Sequence, residues 1–128
     1  MHTDPPKPTE AELEILTVLW SRGQSTVREV HEVIAKSKPA QYTTVLKQLQ
    51  VMAEKGLVRR DETERSHVYE ASRAMEWTQR QLAGDLLHRA FQGSAGGLMM
   101  GALSARKTSK RELAELRRML DNYEKGMR

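Results

Sequence analysis

Residues 41–71 read QYTTVLKQLQVMAEKGLVRRDETERSHVYEA. The first half of this stretch repeats apolar residues at helical spacing and stops at Gly56, so it predicts a helix over 41–55. The second half has two short extended runs, 57–60 and 67–71, on either side of a polar turn, and this pattern predicts a β-hairpin. A helix followed by a hairpin is common to several folds, so the elements before it are needed to choose among them.

Two short helices precede this stretch, and each has its own start signal. Thr9 and Thr26 are both followed three residues later by a glutamate, which is the spacing of a capping box. Apolar residues then recur at helical spacing, so the sequence predicts helices over 9–21 and 26–36. Three helices followed by a hairpin are the element order of a winged helix-turn-helix, and we assign this domain to residues 9–72.

The segments on both sides of this domain have a different pattern. Residues 1–8 hold three prolines and no hydrophobic period, so we expect a flexible tail. Residues 73–128 are predicted to be helical again, with a long helix over 74–92, a break at Gly93–Gly97 and a further capping box that begins at Ser109.

The helices of residues 73–128 carry apolar stripes but too few apolar residues to form a stable core of their own. A second copy of the chain would bury these stripes, so we predict a helical dimerisation domain. The alternative is a monomer in which these helices fold back onto the winged helix. The residues predicted to pack across the dimer are Leu82, Leu86, Phe91, Leu98, Leu113, Leu116 and Leu120. The predicted fold class is mainly α, a winged helix-turn-helix of three helices and a β-hairpin wing followed by this domain.

The predicted third helix has an apolar inward face and a polar outward face. The outward residues are Gln41, Thr43, Thr44, Lys47 and Gln48. Threonine offers a hydroxyl to phosphates or bases, glutamine pairs with adenine, and lysine pairs with guanine or phosphate. Residues 36–60 carry six lysines and arginines against one glutamate, so basic charge gathers around this helix. The pattern predicts contact with the major groove of double-stranded DNA; a solvated helix face is the alternative.

The predicted wing carries Arg65 after a run of acidic residues. At the tip of a hairpin beside a DNA-reading helix, this arginine would contact a phosphate. An ion pair with Glu62 or Glu64 is the alternative.

Five short motifs carry a resemblance that spans about residues 9–125. They are Glu14-Ile15-Leu16 with Leu19-Trp20, Thr26-Val27-Arg28-Glu29-Val30, Tyr42-Thr43-Thr44-Val45, Lys55-Gly56-Leu57-Val58, and Arg65 with Tyr69. The second and third motifs are the most distinctive. Together these motifs resemble the penicillinase-repressor (BlaI/MecI/CopY) family.

The resemblance implies a homodimeric repressor of palindromic operator DNA, with an N-terminal winged helix and a C-terminal dimerisation domain. It also implies that Thr43, Thr44 and Lys47 face bases or nearby phosphates. Tyr42, Arg65 and Arg60 would hold the DNA backbone.

Two departures from the family concern the release of the repressor. Copper-responsive members carry a C-terminal cysteine cluster, and this chain has no cysteine, so we expect no copper control. Antibiotic-responsive members are cleaved at an Asn-Phe bond, where this chain offers Gly101-Ala102. Release by a regulatory protease acting at 93–103, by an unknown inducer or by a competing partner all stay open.

Composition narrows the class of protein further. The chain has 128 residues, 38% of them hydrophobic and 30% charged, with a net charge of +4, which suits one or two small globular domains. Because it has no cysteine, no zinc-site spacing among its four histidines and no nucleophile beside a base, we expect no enzyme, metal or cofactor. It has no membrane-length apolar run and no secretory signal, so we expect a cytoplasmic protein. The alternative function is a winged-helix protein-interaction adaptor without DNA binding.

Overall fold

The computed structural model describes residues 4–63 and 65–127, and this part of the chain is mainly helical. The described residues form six helices and three short strands in the predicted winged-helix order, followed by the C-terminal helices. The bounds are α1 Glu10–Arg22, β1 Ser25–Thr26, α2 Val27–Ala35, α3 Tyr42–Lys55, β2 Val58–Asp61, β3 Val68–Ala71, α4 Met75–Phe91, α5 Ala95–Ala105 and α6 Lys110–Gly126. None of the helices in the described ranges is both long and apolar enough to cross a membrane.

The chain divides into two compact units, Met1–Ala83 and Gly84–Arg128. The first unit contains α1 to α3, the three strands and the first turns of α4, and the second contains the rest of α4 with α5 and α6. The division therefore lies inside α4, beyond the predicted domain boundary at residue 72. Thr78 in the first turns of α4 is buried, so these turns belong to the packing of the first unit.

The first two helices begin as their capping boxes predict. Thr9 Oγ1 accepts a hydrogen bond of 3.2 Å from Glu12 N, and Glu12 Oε1 accepts one of 2.9 Å from Thr9 N. Thr26 and Glu29 form the same reciprocal pair at 3.2 and 2.8 Å. Each box satisfies two backbone N–H groups that have no partner inside the helix, so both helices start at defined residues.

The core of the first unit lies between α1, α2, α3 and the sheet. Every one of these elements contributes side chains to it, so the three helices and the wing are packed into one body. Its buried apolar residues are Ile15, Leu16, Val18, Leu19, Val27, Val30, Ile34, Val45, Leu49, Met52, Leu57, Val58 and Tyr69.

The sheet is antiparallel with the strand order β1-β3-β2. The β2–β3 hairpin confirms the predicted wing, and its register places Arg60 opposite Tyr69. The sequence reasoning missed β1. This strand is two residues long and exists because Ser25 and Thr26 pair with β3, more than forty residues later, so it has no local signal of its own.

Part of the predicted flexible tail is in contact with the first unit. Residues 4–8 have no regular secondary structure, but Pro8 is buried. The carbonyl oxygen of Pro5 accepts a hydrogen bond of 3.1 Å from Gln81 Nε2. Residues 1–3 of the predicted tail lie outside the described residues.

In the second unit, the break predicted at Gly93–Gly97 is shorter than expected. The chain turns at Gln92 and Gly93, which have φ angles of 48° and 80°, and α5 already begins at Ala95. Ser94 caps this helix by accepting a hydrogen bond of 2.9 Å from Gly97 N. A single serine cap thus offsets the low helix propensity of the glycines that follow it.

Candidate nucleic-acid interface

Helix α3 has the two faces that its sequence predicts. Val45, Leu49 and Met52 are buried in the core, and Leu46 is packed against it. These contacts fix the rotation of the helix about its own axis. The opposite side of α3 is therefore held toward solvent by the packing of the inward side.

The exposed face of α3 presents most of the residues that the sequence assigned to DNA contact. Thr43, Thr44 and Lys47 are exposed and Gln48 is half-buried. They line one shallow concave surface together with Val51 and with residues from the start of α1. Hydroxyl, ammonium and carboxamide groups on one helix face can hydrogen-bond base edges and phosphates.

The start of α3 also favours an anion. Its N-cap residue is Gln41, whose side chain makes no capping hydrogen bond, and no acidic residue occupies the first turn. By contrast, threonine or serine side chains cap α1, α2, α5 and α6. Thr44 N donates to the carbonyl oxygen of Gln41 at 3.1 Å, so the N–H groups of Tyr42 and Thr43 and the positive end of the helix dipole face any external partner.

A groove between α3 and the wing brings together the three residues expected to hold the DNA backbone. Tyr42, Arg60 and Arg65 all line it. Tyr42 comes from the first turn of α3, Arg60 from β2, and Arg65 from the turn between β2 and β3. His67 and Tyr69 line the same groove, so the groove combines two arginines, a histidine and two phenols, which are groups that can bind phosphate oxygens.

The two arginines of this groove differ in how they are held. The guanidinium of Arg60 lies 3.2 Å from Glu62 Oε1, and a hydrogen bond with the Tyr69 side chain, together with the charge of Glu62, raises its pKa. Arg60 is therefore in contact with two other side chains of the hairpin, Glu62 and Tyr69. Arg65 is exposed, and none of the described residues forms an ion pair with it.

One of the two alternative partners of Arg65, Glu62, pairs with another residue. Glu62 pairs with Arg60 and lies 3.7 Å from His67 Nε2. Glu64, the other acidic residue considered for this role, lies outside the described residues. Arg65 therefore has no ion-pair partner among the described residues of the wing.

One carboxylate lies beside the exposed face of α3, and the protein neutralises it. Glu12 lines the concave surface of Thr43 and Lys47, and its Oε2 accepts a hydrogen bond of 2.8 Å from Lys55 Nζ. Burial acts to raise the pKa of Glu12, but hydrogen bonds from Lys55 and Thr9 and the charge of Lys55 outweigh it, so the pKa is lowered. The ion pair keeps an acidic group from repelling DNA at this surface.

The sequence reasoning missed one residue next to this interface. His31 on α2 bonds to the Ala40 carbonyl group and contacts the ring of Tyr42. No local pattern signals these contacts, because they cross the turn between α2 and α3. Within the described ranges, no group of three or more histidine, aspartate or glutamate residues is arranged to hold a metal ion.

Known proteins resemble this chain in sequence and in fold. A model of the penicillinase repressor family matches residues 8–122. The chain is 31% identical over 120 residues to the transcriptional regulator BlaI of Mycobacterium tuberculosis, in each of two strains, and the match covers 91% of this chain and 85% of that protein.

A solved structure shares the fold over part of the chain. It is the solution structure of the monomeric form of BlaI from Bacillus licheniformis in complex with the blaP half-operator. The TM-score is 0.50 at 23% sequence identity, and the match covers 57% of this chain and 89% of that one.

Proposed function

The chain belongs to the penicillinase repressor family, and from this premise we propose that it is a sequence-specific transcriptional repressor that binds palindromic operator DNA as a homodimer. The observation that carries the proposal is the exposed polar face of α3, with Thr43, Thr44 and Lys47, beside the groove lined by Tyr42, Arg60 and Arg65. BlaI of Bacillus licheniformis has been solved on a half-operator, which supports the same use of the fold here.

In the proposed complex, α3 lies in the major groove. The exposed face of α3 contacts bases or nearby phosphates through Thr43, Thr44, Lys47 and Gln48. Hydrogen bonds and methyl contacts to base edges carry the sequence information. Tyr42, Arg60 and Arg65 contact phosphates and set the position of the protein on the duplex. Repression follows because a promoter covered in this way is not open to other DNA-binding proteins.

The dimer is proposed from the second unit. None of the described residues of α5 and α6 is buried, and large apolar side chains such as Leu86, Met100 and Leu120 are exposed. A second copy would cover them, and the symmetric pair would present two α3 helices to the two halves of a palindrome. Among the seven residues proposed for this contact, Leu82 belongs to the first unit and the other six to the second.

In this proposal the protein acts as a binding protein and not as an enzyme, and it works in the cytoplasm, where it meets promoter DNA. A regulatory protease or an inducer releases the repressor from its operator. Gly101-Ala102 lies within α5, so cleavage of the folded chain within 93–103 is expected at Gly93 or Ser94, ahead of the helix.

The adaptor alternative fits the exposed face of α3 less well. A protein-binding helix typically presents apolar anchor residues to its partner. The exposed residues of the first two turns here are Tyr42, Thr43, Thr44 and Lys47. Two of them carry a hydroxyl group on a short side chain, one carries an ammonium group, and only the tyrosine has a large apolar ring. A basic, hydroxyl-rich face matches a phosphate backbone better than an apolar groove.

The proposal is tested by titrating the full chain onto a fluorescent duplex from the DNA upstream of its own gene. A scrambled duplex of the same base composition is the control, and both titrations are repeated over a salt series. We expect tighter binding to the promoter duplex and affinity that falls steeply with salt, because each neutralised phosphate releases counterions. Equal affinity for both duplexes would refute sequence-specific repression, and no binding at low salt would support the adaptor.

A further inference from the structure

The side chain of His31 reaches from α2 across the turn to the start of α3. Its Nε2 lies 2.8 Å from the carbonyl oxygen of Ala40. A carbonyl oxygen only accepts, so Nε2 is the donor in this bond. Ala40 immediately precedes Gln41, the N-cap residue of α3, so the bond joins α2 to the point at which α3 begins.

The same imidazole contacts Tyr42. The two ring centroids lie 5.9 Å apart with an interplanar angle of 79°, which is the edge-to-face arrangement that aromatic pairs prefer. The hydrogen bond to Ala40 orients the imidazole ring. Because the ring is oriented, it meets the Tyr42 ring in one arrangement. One histidine thus restrains both the entry of the chain into α3 and the first side chain of that helix.

This restraint acts on a surface and not on the core. Tyr42 is 44% exposed, and His31 is half-buried and not among the buried polar residues. The start of α3 is also the place where the helix has no side-chain cap of its own. A contact here contributes little to the packing of the first unit, but it determines where the Tyr42 hydroxyl lies beside the groove of Arg60 and Arg65.

We propose that His31 is a positioning residue of the DNA interface, which holds the Tyr42 ring in its DNA-contacting direction before DNA binds. The inference rests on the proposed function. Ordering a side chain in advance removes an entropy cost that binding would otherwise have to meet. His31 acts through Tyr42 and touches no nucleotide itself.

The experiment measures affinity for the duplex from the DNA upstream of the gene, in a double-mutant cycle of His31→Ala and Tyr42→Ala. Glu32→Ala is the matched control, because Glu32 is the next residue on α2 and is exposed. We expect His31→Ala to weaken binding about fivefold, the size typical of an edge-to-face pair. In the Tyr42→Ala background, the same change should alter affinity less than about twofold. The melting temperature should stay near that of Glu32→Ala.

Two further variants keep the test decisive if His31→Ala folds poorly. His31→Phe retains a ring without the bond that orients it, and His31→Gln retains a donor without the ring, so both should bind more weakly than wild type. Wild-type affinity in all three variants, or a loss of equal size with and without Tyr42, would overturn the inference while leaving the repressor proposal intact. If wild type itself prefers neither duplex, the proposed function fails, and this inference fails with it.

Discussion

The two units of the chain differ in where their apolar side chains lie. In the first unit, α1, α2, α3 and the sheet all supply fully buried residues such as Ile15, Leu49 and Tyr69. In the second unit, α5 is almost wholly apolar in sequence, yet none of its described residues is buried. The first unit therefore completes its own core, whereas the second leaves apolar side chains exposed, which the proposed dimer would cover.

The largest expected effect concerns the completed core. Leu49→Ala removes a side chain with no solvent exposure, so we expect the free energy of unfolding to fall by about 2–5 kcal/mol. Leu116→Ala, at a half-buried position of α6, should show a smaller loss that depends on protein concentration. Chemical denaturation at two protein concentrations measures both. If both variants lost the same free energy of unfolding at both protein concentrations, the proposed difference between the units would be wrong.

A charge in the second unit should separate the copies without unfolding the first unit. Leu86 is 47% exposed, and in the proposed dimer Leu86→Glu would bury an unpaired carboxylate. We therefore expect the dissociation constant of the dimer to rise by about tenfold or more. Analytical ultracentrifugation measures this constant, and circular dichroism checks the helices. Leu86→Met, which conserves volume and apolarity, is the control. An unchanged dissociation constant for Leu86→Glu would contradict the proposed interface.

Sequence preference should depend on the first unit alone. Thr44→Ala removes a hydroxyl and a methyl group from the exposed face of α3, and we expect the affinity ratio between the promoter and scrambled duplexes to shrink by about tenfold. Thr108→Ala, in the connection between α5 and α6, should leave that ratio as it is. If Thr44→Ala keeps the full ratio in competition binding, base contact by Thr44 is wrong.

The net charge of +4 lies in the second unit, because the first unit has as many acidic as basic residues. Salt dependence therefore shows which unit contacts DNA. Lys47 lies on the face of α3, and Lys110 begins α6. If only the first unit contacts phosphates, Lys47→Ala should reduce the slope of log affinity against log salt by about one, while Lys110→Ala leaves it unchanged. A reduction for Lys110→Ala would place the second unit on DNA as well.

The smallest expected effect compares two helix-cap glutamates across pH. The lowered pKa of Glu12 means that its charged form stabilises the fold. That contribution is present above its ordinary value of 4.5 and is lost as pH falls through the lowered folded value. Glu12→Gln should therefore cost about 1 kcal/mol near neutral pH and less below pH 4.5.

The second unit supplies the control for this pH experiment. Glu112 follows the Ser109 cap of α6, and its Oε1 lies 3.6 Å from the guanidinium of Arg106 in an exposed ion pair. Surface pairs of this kind contribute little, so Glu112→Gln should change stability less than Glu12→Gln. Thermal melts from pH 3 to pH 8 measure both variants. A pH-independent cost for Glu12→Gln would show that its charge does not stabilise the fold.

The sequence predicted most of the fold because most of its signals are local. The boxes at Thr9 and Thr26, the apolar period of α3 and the two extended runs of the hairpin are each recognised within a few residues. Strand β1 and the tail contact at Pro5 depend on partners far along the chain, so no local pattern reveals them. The early start of α5 was missed because glycine is a poor helix former whose cost one serine cap can offset.

The candidate site was predictable to a similar degree. Residue types and helical spacing were enough to place Thr43, Thr44 and Lys47 on an exposed face of α3. They were not enough to show that Arg60 is held by Tyr69 and Glu62, because that arrangement depends on strand register. The contact of His31 with Tyr42 depends on how the turn between α2 and α3 folds back, and spacing alone does not fix that turn.

The most direct test of the central claim is the mass of the complex on DNA. Native mass spectrometry of the full chain, alone and with the promoter duplex, counts the copies bound. If the first unit reads DNA and the second pairs the copies, the free chain should be a dimer and the promoter duplex should carry two chains. A monomer in solution that binds as one chain per duplex would contradict the account, because the apolar face of the second unit would then have no second copy to cover it.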